Sequence, residues 1–571
     1  MCCHPYPISI WRMKRYAILL LVLLVAVSPR VMAAGNDNDT SDRKNFSVAK
    51  GLNIFGSVVR NLNLLYVDDF DTEKGVTTAI NAMLGELDPY TTYYPADDTE
   101  ELELITTGKY AGVGALIRYQ KSHDRVVVAE PYENMPAQKA GLRAGDILLR
   151  VDTTDVKGMD TQQVSDMLRG EVGTVVTVTA LRPGSSEPHT YRIERAAIQF
   201  PAVPYYGMVD DTTGYILFER FIEGCSRDVR LALVELRERG ATKLILDLRN
   251  NGGGLLSEAV EITNLFVPKG NVVVETRGRL KQVGQTYKTR HTASEPDLPL
   301  VVLVDGQTAS SAEIVSGALQ DLDRAVIVGS RTYGKGLVQA PRDLPYGGML
   351  KVTTSKYFIP SGRCIQAIDY AQRDDNGNLI GRIPDSLTTV FHTAAGREVR
   401  DGCGISPDVE VEEKRLPNLL YYLANDDCLF DFVTSYTLQH DSIGPAEDFV
   451  ADDALYAAFC DSLRSAGFTY DRGSERALAT LREWAEFEGY MEHAQGEFEA
   501  LEAKLKPDLD TDLQTFSSDI RALLADEIVT RYHYQRGTII QALKDDEGLR
   551  TALSILSDPD RYRNLLVPSG K

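Results

Sequence analysis

Between residues 205 and about 412, apolar β-branched runs alternate with amphipathic runs of helical period, and this alternation most constrains the fold. TGYILFERF (213–221), KLILDLR (243–249), LPLVVLVD (298–305), RAVIVGS (324–330) and MLKVTTSKYF (349–358) read as strands. SRDVRLALVELRERG (226–240), GLLSEAVEITNLFV (254–267) and SSAEIVSGALQDL (310–322) carry apolar residues three and four apart, as helices do. The alternation predicts an α/β core with its functional loops at the ends of adjacent strands.

The flanks differ in texture. Residues 46–105 predict a small helical segment, broken at Pro89 within LDPYTTYY (87–94). Residues 106–198 hold the β-branched runs RVVVAEP (125–131) and TVVTVTALR (174–182), with short helices at MPAQKAG and DTQQVSDMLRG. Residues 413–571 read as amphipathic helix rich in acids, a pattern suited to packing or oligomerisation. A length of 571 residues fits about two to four domains. The formal charge of −21 disfavours non-specific nucleic-acid binding and anionic membrane surfaces.

The N-terminus has the layout of a cleaved export signal. Arg12, Lys14 and Arg15 precede the apolar run YAILLLVLLVAV (16–27), and small residues end VMA (31–33). Twelve apolar residues followed by Pro29 are too few to span a bilayer stably, so residues 1–33 are read as a signal peptide and the protein as periplasmic or cell-envelope. Five cysteines follow the leader, Cys225, Cys364, Cys403, Cys428 and Cys460, without metal-site spacing. An oxidising compartment permits a disulfide, but spacing does not pair them, and buried thiols are the default.

Two stretches carry chemistry. After VVLVDGQTA a helix is predicted to begin near Ser310, at the positive end of its macrodipole, where an alkoxide is stabilised. A serine there also serves as a helix cap, the commoner role, so its surroundings decide. No histidine stands in a recognisable catalytic context, but a buried lysine can act as base because desolvation disfavours its ammonium form. Lys335, in GSRTYGKGLVQ (329–339), is flanked by Gly334 and Gly336, and Gln339 is placed to hold the amine. The glycine-rich bend in DLRNNGGGLL (247–256) offers backbone donors for an oxyanion, and the Ser311 N–H can supply a second. Gly329 to Lys335 also spells most of a phosphate loop, yet Gly336 stands where the magnesium-binding hydroxyl belongs. A nucleoside triphosphatase is therefore the weaker enzymatic reading, and a PDZ-bearing scaffold without activity is the non-enzymatic one.

The Gly112–Val113–Gly114–Ala115 stretch allows backbone N–H groups to turn inward around a terminal carboxylate. With AGLRAGDILLRVD (140–152) and LRGEVGT (168–174) following, residues 106–198 resemble a PDZ domain. TASSAEIVSGALQD (308–321) together with GSRTYGKGLVQ resembles the serine–lysine signature of the carboxy-terminal processing peptidases, or tail-specific proteases. DLRNNGGGLL, KVTTSKYFIPSGRCIQ (351–366), GCGISPDVEV (402–411) and LDPYTTYY resemble further segments of that family. The resemblance implies a crotonase-like catalytic core over 199–412 with Ser310 as nucleophile, Lys335 as base and Gln339 as its orienter. It also implies an oxyanion pair of Gly253 and Ser311, and an Arg169 that couples peptide capture to the site. No cofactor is implied. The implied partners are proteins or peptides with accessible C-termini, a second copy of the chain in a homodimer, and an activating adaptor.

Overall fold

The computed structural model describes residues 37–96, 107–370, 381–412, 414–470, 473–505 and 508–568; the leader assigned to residues 1–33 lies outside them. Residues up to Glu86 form a unit of their own, built of α1 (Asp37–Leu65) and α2 (Thr72–Gly85). Asp71 caps α2 by accepting the Lys74 N–H at 3.0 Å. The second unit runs from Leu87 onward and opens with the short strand β1 (Thr92–Tyr94).

Residues 109–199 contribute β2 (Lys109–Gly112), β3 (Ala115–Gln120), β4 (Arg125–Pro131), α3 (Pro136–Lys139), β5 (Ile147–Val151), β6 (Thr154–Asp155), α4 (Thr161–Leu168), β7 (Val175–Leu181), β8 (His189–Glu194) and β9 (Ala196–Gln199). The main sheet has the order β3-β4-β5-β7-β8, which leaves β3 at an edge beside α4. Val126, Val128, Leu148, Val164, Val176 and Val178 fill its own core. Residues of alternate parity face the other way: Val127 and Ile147 pack on Phe430, from a later helix.

The α/β core follows as β10 (Tyr205–Met208), β11 (Thr213–Leu217), α5 (Cys225–Glu238), β12 (Lys243–Asp247), α6 (Leu256–Phe266), β13 (Val272–Gly278), β14 (Gln285–Lys288), β15 (Leu300–Val304), α7 (Ser311–Asp321), β16 (Val326–Gly329), β17 (Leu337–Asp343), β18 (Met349–Phe358), β19 (Val390–His392), β20 (Glu398–Arg400) and β21 (Val409–Glu410). Its sheet has the order β10-β11-β12-β15-β16-β21, with every pair from β11 to β21 parallel. A second sheet joins β1, β17, β18, β13 and β14, so the LDPYTTYY segment ends as a strand on β18.

Parallel strands need cover on both faces, because both present apolar side chains. On one face Leu244, Leu246, Val302 and Ile327 pack under α5, α6 and α7. On the other, Ile245, Val301, Leu303, Val326 and Val328 meet Leu549, Ala552, Ile555 and Leu556. These last four belong to a helix near the chain's end. The C-terminal residues form α8 (Asn418–Asn425), α9 (Asp427–Gln439), α10 (Asp453–Ala466), α11 (Gly473–Phe487), α12 (Met491–Leu505), α13 (Leu509–Thr515), α14 (Ser517–Ala542), α15 (Glu547–Ser557) and α16 (Pro559–Leu565). Most of them share a separate core of Leu423, Val433, Phe459, Leu463, Leu524 and Ile528. Helix α15 instead closes the catalytic sheet, from beyond the boundary at 412 that sequence texture suggests. Asp546 caps α15 through the Leu549 N–H (2.9 Å) and pairs with Arg249 just past β12 (3.0 Å, Nη1 to Oδ1). No helix of the described residues is long and apolar enough to cross a membrane. Cys225, Cys364, Cys403, Cys428 and Cys460 are free thiols.

Ile555 is fully buried against the sheet. Ile555→Ala is expected to lower the stability of the catalytic core by about 2–5 kcal/mol, read as a lower urea midpoint for tyrosine fluorescence.

Candidate active site

The Ser310 turn is assembled by side chains of its own loop. Asp305 Oδ1 accepts the N–H groups of Gln307 (3.0 Å) and Thr308 (2.9 Å), and the Thr308 hydroxyl donates to the Leu248 carbonyl (2.9 Å). This holds the end of β15 against the end of β12. Ser310 then takes φ 56°, ψ −116°, a strained conformation for a residue with a Cβ, immediately before α7. It is half-buried.

The strain is held by Glu313, three residues on. Its carboxylate is fully buried and collects four donors: the N–H groups of Ser310 (2.8 Å) and Lys335 (2.9 Å) on Oε2, with the Gly334 N–H (2.8 Å) and Thr332 hydroxyl (2.5 Å) on Oε1. Burial pushes this carboxyl up to about 7 against the downward pull of those donors. Tyr357 forms a second brace, its hydroxyl lying 3.0 Å from the Ser310 carbonyl oxygen and 2.5 Å from that of Lys335. Ser310 and Lys335, well apart in sequence, are thus tied backbone to backbone.

Lys335 lies between β16 and β17. Burial, reinforced by the nearby Lys351, lowers its amine to about 8, opposed by Glu313 and Asp88. The amine nitrogen rests 4.2 Å from the centroid of the Tyr90 ring. The flanking glycines are demanded by packing: a Cβ on Gly334 would lie 2.3 Å from Ala367 Cβ, and one on Gly336 2.8 Å from the Gln366 nitrogen. The phosphate-loop reading fails here for a structural reason. Lys335 leads into strand β17 rather than into a helix, so the loop lacks the strand–loop–helix order of a phosphate loop.

Of the three glycines at 252–254, Gly253 is the one that abuts Ser310. A Cβ there would come within 2.7 Å of Ser310 Cβ and 2.8 Å of the Ser311 nitrogen, and φ is 91°. Its N–H, however, donates to Asn251 Oδ1 at 2.9 Å, so stabilising an oxyanion requires it to turn from that partner. The Ser311 hydroxyl donates to the Gly254 carbonyl (2.8 Å) and so pins the glycine loop to the start of α7. Gln339, expected beside the lysine amine, gives its amide to Thr353 Oγ1 at 3.2 Å. No hydrogen bond among the described residues joins it to Lys335.

The other expected residues gather within residues 109–199. Gly112 ends β2, Val113 is buried with its carbonyl accepting the Ala137 N–H (2.8 Å), and Gly114 turns at φ 74°. Ala115 then begins the edge strand β3. Arg169 ends α4 with its guanidinium carbon 5.8 Å from the Tyr110 ring centroid. A loop, a free strand edge and an adjoining helix are the parts needed to add a peptide as an extra strand.

Glu313, Tyr90, Tyr357 and Asn251 were not singled out from sequence. A signal existed for one of them. Ser310-Ser-Ala-Glu313 is the S-x-x-E pattern in which a third-position carboxylate returns to the cap backbone. For Tyr90, Tyr357 and Asn251 nothing local marks the role.

Sequence comparisons agree with this architecture. Peptidase family S41 matches residues 212–372, a PDZ domain matches 127–182, and the C-terminal helical domain of a probable PDZ-protease matches 419–556. The carboxy-terminal-processing protease of Bartonella bacilliformis is 34% identical over 355 residues, which span 62% of this chain and 80% of that protein. A probable CtpA-like serine protease of Staphylococcus epidermidis is 32% identical over 352 residues, 61% of this chain and 69% of that one. Among solved structures, a photosystem II D1 C-terminal processing protease is 30% identical and covers 64% of this chain and 93% of its own, with a TM-score of 0.35. The chain is therefore a serine-type peptidase of family S41, of the carboxy-terminal-processing group that carries a PDZ domain.

Proposed function

We propose that this chain is an exported endopeptidase that captures protein C-termini on its PDZ domain and cleaves peptide bonds with Ser310 and Lys335. One observation carries the reading: a single buried carboxylate oxygen, Glu313 Oε2, binds the backbone N–H of both residues, and the lysine so held is desolvated. The leader motif supports export, and the loop at 112–115 beside the edge strand β3 supports capture of a chain end. The parallel sheet whose strand ends carry the glycine loop and Ser310 supports a crotonase-like core.

The proposed step moves one proton and one acyl group. The neutral Lys335 amine takes the proton from Ser310 Oγ as that oxygen bonds to the substrate carbonyl carbon. The carbonyl oxygen becomes an oxyanion beside Gly253 and the Ser311 N–H. Collapse breaks the C–N bond, and the ammonium proton passes to the leaving amine. Water, deprotonated by the same lysine, then releases the acyl group. These transfers balance with protein groups and water alone, without a metal or nucleotide. Ser310 Oγ and Lys335 Nζ share no hydrogen bond among those described, a geometry that substrate binding can tighten.

Ser310→Ala and Lys335→Ala should each abolish cleavage of a protein with a disordered C-terminal tail, measured by gel densitometry. Wild-type rates from Ser310→Ala would sink the assignment. Glu313→Gln replaces a carboxylate oxygen with an amide and cannot accept all four donors; a loss of about tenfold or more in kcat is expected from the misplaced dyad.

The pH dependence follows from the same groups. Cleavage should rise as the amine loses its proton near pH 8. Folding lowers Lys335 from 10.5 to about 8, so the unfolded chain binds more protons across that window and stability rises with pH there. Glu313, raised from 4.5 to about 7, acts oppositely, and stability falls as pH rises from 4.5 to about 7. Lys335→Met should flatten the upper slope in thermal unfolding scans and leave the lower one.

A further inference from the structure

The short segment that follows the N-terminal helical unit is placed against the proposed base. Tyr90 puts its ring face 4.2 Å from the Lys335 amine nitrogen, and its hydroxyl meets those of Tyr333 (3.3 Å) and Tyr370 (3.2 Å). The Tyr370 ring meets it edge-on, 6.0 Å between centroids. The backbone on either side is held too. Asp88 Oδ1 accepts the N–H groups of Tyr90 and Thr91, both at 2.8 Å, and Asp88 Oδ2 accepts the Thr91 hydroxyl at 3.0 Å. Thr91 in turn accepts the Thr353 N–H at 3.2 Å, and Thr92 pairs with Lys351 across β1 and β18.

We propose that Tyr90 is a positioning residue of Lys335: its ring face seats the amine. The proposal rests on Lys335 being the base, and its test separates the two.

An aromatic face attracts an ammonium through its quadrupole and has little hold on the neutral amine. It therefore favours the charge that Lys335 acquires as Ser310 gives up its proton. A carboxylate in the same position would attract the ammonium far more strongly and keep the proton from the leaving amine. The π face stabilises the charged form while leaving the base able to cycle. The other charged groups around the amine pull in both directions. Lys351, whose own nitrogen donates to the Tyr94 hydroxyl at 3.1 Å, disfavours the ammonium; Glu313 and Asp88 favour it. Glu313 is bound to the lysine's backbone rather than to its amine, so the Tyr90 ring is the surface on which the amine itself rests.

The test needs no turnover. Full-length protein is pulse-labelled with acetic anhydride across a pH series, and acetylation of Lys335 is followed by mass spectrometry. Wild type should show half-maximal reactivity near pH 8. Tyr90→Phe keeps the ring and should stay within about 0.3 units of wild type. Tyr90→Leu keeps an apolar wall but loses the quadrupole, and its midpoint should fall by about one unit. Tyr90→pentafluorophenylalanine preserves the shape while reversing the quadrupole, and it should fall as well, which covers a Leu variant that does not fold. A midpoint that is unchanged or raised in these last two variants, or one that falls equally in Tyr90→Phe, overturns the proposal. Tail cleavage by Lys335→Ala at the wild-type rate would instead remove the base assignment and leave the labelling result standing.

Discussion

The site depends on one buried carboxylate. Glu313 takes donors from the Ser310 turn and from the 332–335 loop at once. A carboxylate accepts through both oxygens without needing to donate, which suits a place where four donors converge. Burying it is unfavourable in isolation, as the rise of its carboxyl to about 7 records. Its donors offset that cost and leave Ser310 in a backbone conformation that a serine would not hold on its own. Tyr357 repeats the link from the carbonyl side. Ser310 and Lys335 are thus held through their main chains.

A second dependence runs through the whole chain. The parallel sheet that carries both loops has an apolar second face, and α15 covers it from near the C-terminus. Asp546 caps that helix and also binds Arg249, the residue that leads into the glycine loop beside Ser310. The C-terminal helices reach strand β3 as well, where Arg118 pairs with Asp427 at 3.2 Å and Gln120 donates to Asp431 at 2.6 Å. One helical region therefore supports the peptidase sheet and braces the sheet that presents the PDZ edge strand.

Much of this was legible beforehand because periodicity is a local property. The strands at β11, β12, β15, β16 and β18 and the helices α5, α6 and α7 fall where apolar spacing places them. Ser310 and Lys335 stood out through their motifs, and of the two loop glycines with no room for a side chain, Gly253 and Gly254, it is Gly253 that abuts Ser310. Gln339 shows the limit of such reasoning. Four residues separate it from Lys335, but β17 is a strand in a bulged register, and its amide turns to Thr353. Sequence distance did not give side-chain direction. Tyr90 shows the opposite failure: its segment read only as a break in helical spacing, yet it lies on the proposed base.

The amino-acid order by itself determined the α/β class and the family, since each follows from local pattern or from a motif carried whole. Tertiary structure alone decided which groups meet. Glu313 with Lys335, Tyr90 with the amine, Asp546 with Arg249 and α15 with the sheet are contacts between segments distant in the chain. They exist because a parallel sheet must be covered on both faces and because buried polar groups must find partners wherever the fold brings them.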